Sequence, residues 1–366
     1  MKKVWITTVF TIIVLLQFGC MTINSPKEQD NKLNIAAAQR LDTEEAQGAQ
    51  FLQTKLTNTD GLIYYLVERQ SGAAYSVLES MGQAMEYAAL SGNRELFLKY
   101  AQSMEKHFRD PGGYYYWKID VATGKGETAS ALVDDVRLAK AYFIAHEKGL
   151  GDFSSQIYQL SEIIYQFDVN DNGYPCDYFE GDTQKKAGHV SLFYLDVGTF
   201  EKLAKVNAKW LKPHENAKKI LRSMPENKHG FYPKTFELDI QKYVWGDTVN
   251  MVENLYTALD AQAAGRNTRP LAAFLKKQIR NGKIFNHYHA NGKPDGDDES
   301  VAVYALAVRF LLNNGEQEAA EQCYRRMSEF QIKSQDSFAG GFGDEDNGLV
   351  YAFDHLEALL MMRMVK

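Results

Sequence analysis

Three acidic positions in this chain share one setting, the point where a long loop turns into a helix with an apolar face. The first is Glu79 in Tyr75-Ser76-Val77-Leu78-Glu79-Ser80-Met81-Gly82-Gln83, where Met81, Ala84, Met85 and Ala88 recur at helical spacing. The second is the pair Asp134 and Asp135, at the head of Leu132 to Ala139. The third is Asp247 in Trp245-Gly246-Asp247-Thr248-Val249-Asn250, ahead of a helix face formed by Val249, Val252, Tyr256 and Leu259. A carboxyl in a first turn complements the helix dipole, and an Asp there also caps it, so each acid has a structural reading as well. The chemical reading needs them to converge. One carboxylic acid protonates a glycosidic oxygen while a carboxylate roughly 6.5–9.5 Å away activates water, which is inverting glycoside hydrolysis. Gly82 adds a hint, because a glycine inside a helix costs stability relative to alanine and points to a close approach there.

Around these acids lie residues suited to sugars. Tyr114-Tyr115-Tyr116-Trp117 cannot all face one core, and an exposed aromatic face stacks on a pyranose ring. Trp117, Tyr194 and Trp245 are therefore candidate platforms, with Lys118, Asp134 and Asn250 as polar contacts. Other patterns carry less. Asp168-Val169-Asn170-Asp171-Asn172-Gly173 begins like a calcium loop, but its twelfth position is Phe179, so it reads as a turn. Asp295 to Glu299 reads as a solvated loop, and His287 with His289 has no third metal ligand of suitable spacing. No metal and no cofactor is expected.

The elements that must hold these residues are helical. Four stretches close on a glycine and reopen as helix, at Gly92, Gly149, Gly265 and Gly315. Long loops rich in Gly, Tyr, Asp and Pro separate the resulting hairpins, at 110–128, 168–188, 230–246, 281–298 and 334–348. Short turns at one end and long loops at the other suit a closed ring of αα-hairpins, with the long loops carrying function. No internal repeat of solenoid type is visible. The expected fold is all-α, one (α/α)6 barrel of six helical hairpins.

Composition bounds the partners. The net charge of -6 gives no basic surface for nucleic acid. Lys2 and Lys3 followed by the apolar run Val4 to Leu16 read as an export signal, too short for a comfortable membrane span. It ends in Leu16-Gln17-Phe18-Gly19-Cys20, which resembles a bacterial lipobox and would make Cys20 the lipidated N-terminus. The expected organisation is a signal peptide over residues 1–20, a polar tether over 21–50 and a catalytic domain over 51–366, with the protein a monomer anchored by lipid at the outer face of the cell membrane. Cys176 and Cys323 lie far apart and show no metal-ligand spacing.

Taken in order, these segments resemble glycoside hydrolase family 8, which includes bacterial cellulases, xylanases and chitosanases. The family's Ser-Glu-Gly-Met-Gly-Tyr resembles Leu78-Glu79-Ser80-Met81-Gly82-Gln83 and implies that Glu79 is the general acid. Its Ala-Trp-Arg/Lys and Ala-Thr-Asp-x-Asp segments resemble Tyr116-Trp117-Lys118 and Ala131 to Asp135, which carries a sugar-distorting aspartate onto Asp135. Its Gly-Leu-x-Pro-Asp and Tyr-Asp-Ala-x-Arg segments resemble Gly230 to Lys234 and Gly246 to Asn250, which implies Asp247 as base, with Asp239 as the alternative. Tyr351-Ala352-Phe353-Asp354-His355 resembles the last barrel helix. Two departures stand out: Asn250 replaces an arginine, and Arg137 stands where a second acid is expected. The subgroup it resembles most comprises the hydrolases encoded with exopolysaccharide synthases in Gram-positive bacteria. The resemblance implies hydrolysis of a β-linked exopolysaccharide by an endo-acting, inverting enzyme, and the departures leave a catalytically impaired polysaccharide-binding lipoprotein as the alternative.

Overall fold

A computed structural model of the chain describes residues 35–69, 74–334 and 336–366. Cys20 and the proposed signal segment lie outside the described residues. The described residues are mostly helical. They begin with α1 (Ile35–Phe51) and continue with α2 (Leu78–Leu90), α3 (Arg94–Phe108), α4 (Leu132–Glu147), α5 (Ser154–Asp168) and α6 (Val197–Val206). The second half holds α7 (Leu211–Ser223), α8 (Met251–Ala263), α9 (Arg269–Arg280), α10 (Val301–Asn313), α11 (Gln317–Ser328) and α12 (Ala352–Met364).

The even-numbered helices pack side by side in order, α2 on α4, α4 on α6, α6 on α8, α8 on α10 and α10 on α12, and α12 returns to α2. Their sequences explain why. Eleven of twelve consecutive residues are buried in α2 (all but Glu79 over 78–89) and in α10 (all but Arg309 over 301–312), the mark of a helix covered on every side. The odd-numbered helices bury one stripe only, as α9 does with Leu271, Ala272, Phe274, Leu275 and Ile279. The four glycines of the expected turns all have positive φ, from +70° at Gly92 to +89° at Gly265.

The long loops precede the even-numbered helices and are tied to one another by short antiparallel strands. Tyr75–Val77 pairs with Lys118–Asp120, with Val77 opposite Lys118. Leu66–Glu68 pairs with Leu349–Tyr351, and Val249–Asn250 with His287–Tyr288. His189–Ser191, Thr235–Glu237 and Lys242–Val244 form a three-stranded sheet. These staples fix the loops that carry the candidate acids against their neighbours.

One boundary needs correction. Residues 35–50, read from sequence as tether, form most of α1, which packs on α12. Glu44 accepts hydrogen bonds from Tyr324 Oη at 2.7 Å and Ser328 Oγ at 2.9 Å, and Glu45 accepts one from Tyr87 Oη at 2.8 Å. The calcium-like stretch is a turn, as expected. Asn170 Oδ1 accepts from the Asn172 and Tyr174 amides, while Asp168 is buried against Ser130. Among the described residues no helix is long and apolar enough to cross a membrane.

Candidate active site

Glu79 lies in the first turn of α2, whose entry is fixed by the Leu78 amide donating to the Trp117 carbonyl at 2.9 Å. Its side chain is 30% exposed, and its Oε1 stands 3.6 Å from Arg137 Nη2. Burial holds its carboxyl above the ordinary range, with the Arg137 charge opposing and the Glu357 charge reinforcing the shift. Close to it lies a buried polar brace that joins four inner helices, α2, α4, α8 and α12. Glu357 on α12 accepts from Gln83 Nε2 at 2.7 Å, from Arg137 Nη1 at 3.2 Å and from the Tyr256 hydroxyl. Tyr256 in turn accepts from Arg137 Nη2 at 3.1 Å. Gly82 is the floor of this arrangement. A Cβ there would stand 3.0 Å from Arg137 Cγ, which is the close approach that the helical glycine announced.

The two adjacent aspartates divide. Asp134, on the first turn of α4, is 4% exposed, and among the described residues its carboxyl has no hydrogen-bond partner. Burial first, and then repulsion from Glu79, holds it well above the usual carboxylate range. Burial pushes the Tyr194 hydroxyl well above its ordinary range, and the charges of Asp134, Asp177, Glu79 and Glu253 add to that shift. Asp135 is fully buried on a different side, next to Asp168, and both its carboxyl oxygens are sealed from solvent. Burial and the Asp168 charge hold Asp135 well above its usual range. Asp168, hydrogen-bonded by Ser130 Oγ at 2.6 Å, is itself pushed up to about 7. The two acids titrate as a pair, because ionised Asp168 disfavours ionisation of Asp135. A sugar entering beside Glu79 would therefore meet Asp134 before Asp135.

The aromatic candidates reach solvent. Trp117 and Trp245 are 38% and 41% exposed, and Lys118 Nζ lies 4.2 Å from the centre of the Tyr75 ring and 5.5 Å from that of Trp117. Tyr65 and Tyr351, which pack edge to face at 5.7 Å, extend this exposed set, and the Tyr65 hydroxyl feels the Glu79 charge. Asn250 caps α8, accepting from the Val252 and Glu253 amides at 2.9 and 3.2 Å. Its side chain thereby takes the capping place rather than supplying a cation. Asp247 is exposed in the bend just before it, and Asp239 is exposed in the turn joining Thr235–Glu237 to Lys242–Val244. Trp245, Asn250 and Glu253 line a shallow pocket with Phe193 and Tyr232, and Glu253 pairs with Lys234 at 3.3 Å. A separate cavity of about 240 Å³ runs past Tyr194, Tyr256, Arg137 and Glu357 toward Glu86 and Arg309.

Sequence reasoning missed Glu357, Tyr256, Gln83 and Glu253, and it treated Arg137 only as a departure. Gly82 was the one signal that pointed at this brace.

No protein-family model matches the chain. The Bacillus subtilis (strain 168) protein YdaJ, named as a candidate lipoprotein, is 27% identical over 370 residues, covering 99% of this chain and 98% of that one. A solved structure described as a novel α-amylase from Clostridium perfringens superposes with a TM-score of 0.80 at 24% identity, over 88% of this chain and 98% of that chain. The endoglucanase Cel10 of Klebsiella pneumoniae, a family 8 glycosyl hydrolase, superposes at 0.64 with 15% identity, over 87% and 98%. The chain has the fold of the family 8 glycoside hydrolases. A D-mannose isomerase also shares the fold, at a TM-score of 0.67 and 12% identity over 89% and 97%, so the fold by itself does not assign the chemistry.

Proposed function

We propose that this chain is a glycoside hydrolase built on an (α/α)6 barrel that cleaves an exopolysaccharide by inverting acid–base catalysis. The observation that carries the reading is the placement of Glu79 at the head of an inner helix, its carboxyl shifted upward by burial, near the buried Asp134 and one residue from Leu78, whose amide is held by the Trp117 carbonyl. In the reaction, Glu79 gives its proton to the glycosidic oxygen as the bond to the anomeric carbon breaks. Water attacks that carbon from the opposite face, its proton passing to a carboxylate, for which Asp247 is the first candidate and Asp239 the alternative. Asp134 binds the hydroxyls of the sugar held at the cleavage point, a role that the sequence assigned to Asp135. The aromatic side chains Trp117, Tyr194 and Trp245 bind flanking sugar rings, with Lys118 and Asn250 at the edges.

The lipobox-like Cys20 and the name of the YdaJ relative support a lipid-anchored protein at the outer face of the membrane, where exopolysaccharide is met. The test is release of reducing ends from β-1,4-glucan, xylan, chitosan, poly-N-acetylhexosamines, an α-1,4-glucan and the host's own exopolysaccharide. The α-glucan belongs in the panel because one neighbour is named an α-amylase. A second reading, a polysaccharide-binding lipoprotein without turnover, is favoured by the exposed setting of Asp247 and by the pairing of Glu79 with Arg137. Binding of a glycan with no new reducing ends decides for it.

A further inference from the structure

Arg137 occupies a position where the family resemblance expects an acid, and its surroundings are too specific for a neutral replacement. Its stem packs on Gly82, where no side chain leaves room for it. Nη1 is held by Glu357 at 3.2 Å, and Nη2 by Tyr256 at 3.1 Å. The side chain is 8% exposed. Three elements therefore fix the guanidinium before any ligand arrives, and its remaining reach, 3.6 Å, is toward Glu79.

We propose that Arg137 is a positioning residue for Glu79: it orients the carboxyl and serves as counter-charge for the carboxylate left when the proton has gone to the leaving oxygen. This rests on the reading of Glu79 as the acid. A charge fixed in advance stabilises that product of proton transfer without reorganisation. The groups that face Glu79 or feel its charge are Arg137 and Asp134 from α4, Glu357 from α12, Tyr65 from the segment before α2 and Tyr194 from the loop before α6. Arg137 favours ionised Glu79, whereas Glu357 disfavours it. The two therefore act on Glu79 in opposite directions, which gives the test below two signs to read.

The test is a pair of full-length variants, Arg137→Met and Glu357→Gln, with Arg137→Lys as the conservative control. A general acid loses activity as pH rises through its pKa, so the alkaline limb of kcat/KM reports Glu79. Arg137→Met moves that limb up by about 1 pH unit or more and lowers kcat more than it raises KM. Glu357→Gln moves the limb down, and Arg137→Lys leaves it near wild type. Titration of the Glu79 carboxyl by 13C NMR, its signal identified by its loss in Glu79→Gln, gives the same readout without substrate. Should Arg137→Met not fold, Gly82→Ala displaces the same stem and takes its place.

A Glu79 titration that stays put in folded Arg137→Met and in Glu357→Gln overturns the assignment of Arg137. Retained hydrolysis by Glu79→Gln instead overturns the acid itself, and the catalytic half of the proposal with it.

Discussion

Truncating Glu357 to alanine removes the one acceptor shared by three helices. Gln83 Nε2, Arg137 Nη1 and the Tyr256 hydroxyl all donate to Glu357 Oε1, while Oε2 lies 3.8 Å from Arg309 Nη1. Both Glu357 and Arg137 are buried, at 1% and 8% side-chain exposure, so the loss strands a cation in the interior. Breaking such a buried pair costs roughly 3–5 kcal/mol. Arg137 keeps Glu79 at 3.6 Å as a residual partner, which places the expected loss at the lower end, about 3 kcal/mol.

Urea unfolding followed by circular dichroism reads this as a lower midpoint at unchanged slope. The companion is the double variant Glu357→Leu/Arg137→Met, in which no charge is stranded. It recovers at least about 1 kcal/mol relative to the sum of the single losses, because paired removal of buried charges is far milder than removal of one. A single-variant loss under about 1 kcal/mol, or strict additivity in the double, refutes the view that the brace is an ion pair held in the core.

His355 supplies a pH prediction. Its Nδ1 accepts from the Phe342 amide at 3.1 Å and its Nε2 donates to the Gly48 carbonyl at 3.0 Å, which requires the neutral ring. Burial pushes it down to about 4. The folded value lies below the unfolded value near 6.5, so its contribution is full above that pH and is lost as pH falls toward 4. That loss amounts to about 3 kcal/mol. His355→Gln is less stable at pH 7.5 and shows a shallower decline across that window in urea titrations; an unchanged decline contradicts the assignment. Gly230 has φ +77°, and a Cβ there would overlap the backbone nitrogen of Leu271. Gly230→Ala should lose about 2 kcal/mol or more in the same assay. Cys176 and Cys323 are both buried, and burial pushes the Cys176 thiol up to about 12. Neither should react with a thiol reagent at pH 8 until urea unfolds the chain, so rapid native labelling of either would be incompatible with this packing.

Much of the helical layout was legible because its signals are local. The glycine turns at 92, 149, 265 and 315 need positive φ, and apolar residues at helical spacing, as at Met81, Ala84, Met85 and Ala88, mark the helices between them. The start of the folded part was not legible, for a physical reason. The inward side of α1 includes Glu44 and Glu45, which are buried because Tyr324, Ser328 and Tyr87, all distant in sequence, donate to them. A composition rule reads such a stretch as solvated.

The same limit applied within the site. Adjacent helical residues point about 100° apart, so Asp134 and Asp135 cannot both face the opening. Only tertiary packing sets the phase that sends Asp135 against Asp168. Arg137 was visible as a departure, but its partner Glu357 lies 220 positions away. Gly82 alone carried a local trace of their contact.

The measurement that bears most directly on the central claim is reducing-end release by wild type and Glu79→Gln over the glycan panel, with folding checked by circular dichroism. Glycosidic cleavage by a general acid predicts that wild type releases reducing ends from at least one glycan. It also predicts that Glu79→Gln, folded and still binding that glycan, falls by about 100-fold or more. A folded Glu79→Gln variant that hydrolyses within about tenfold of wild type would contradict it.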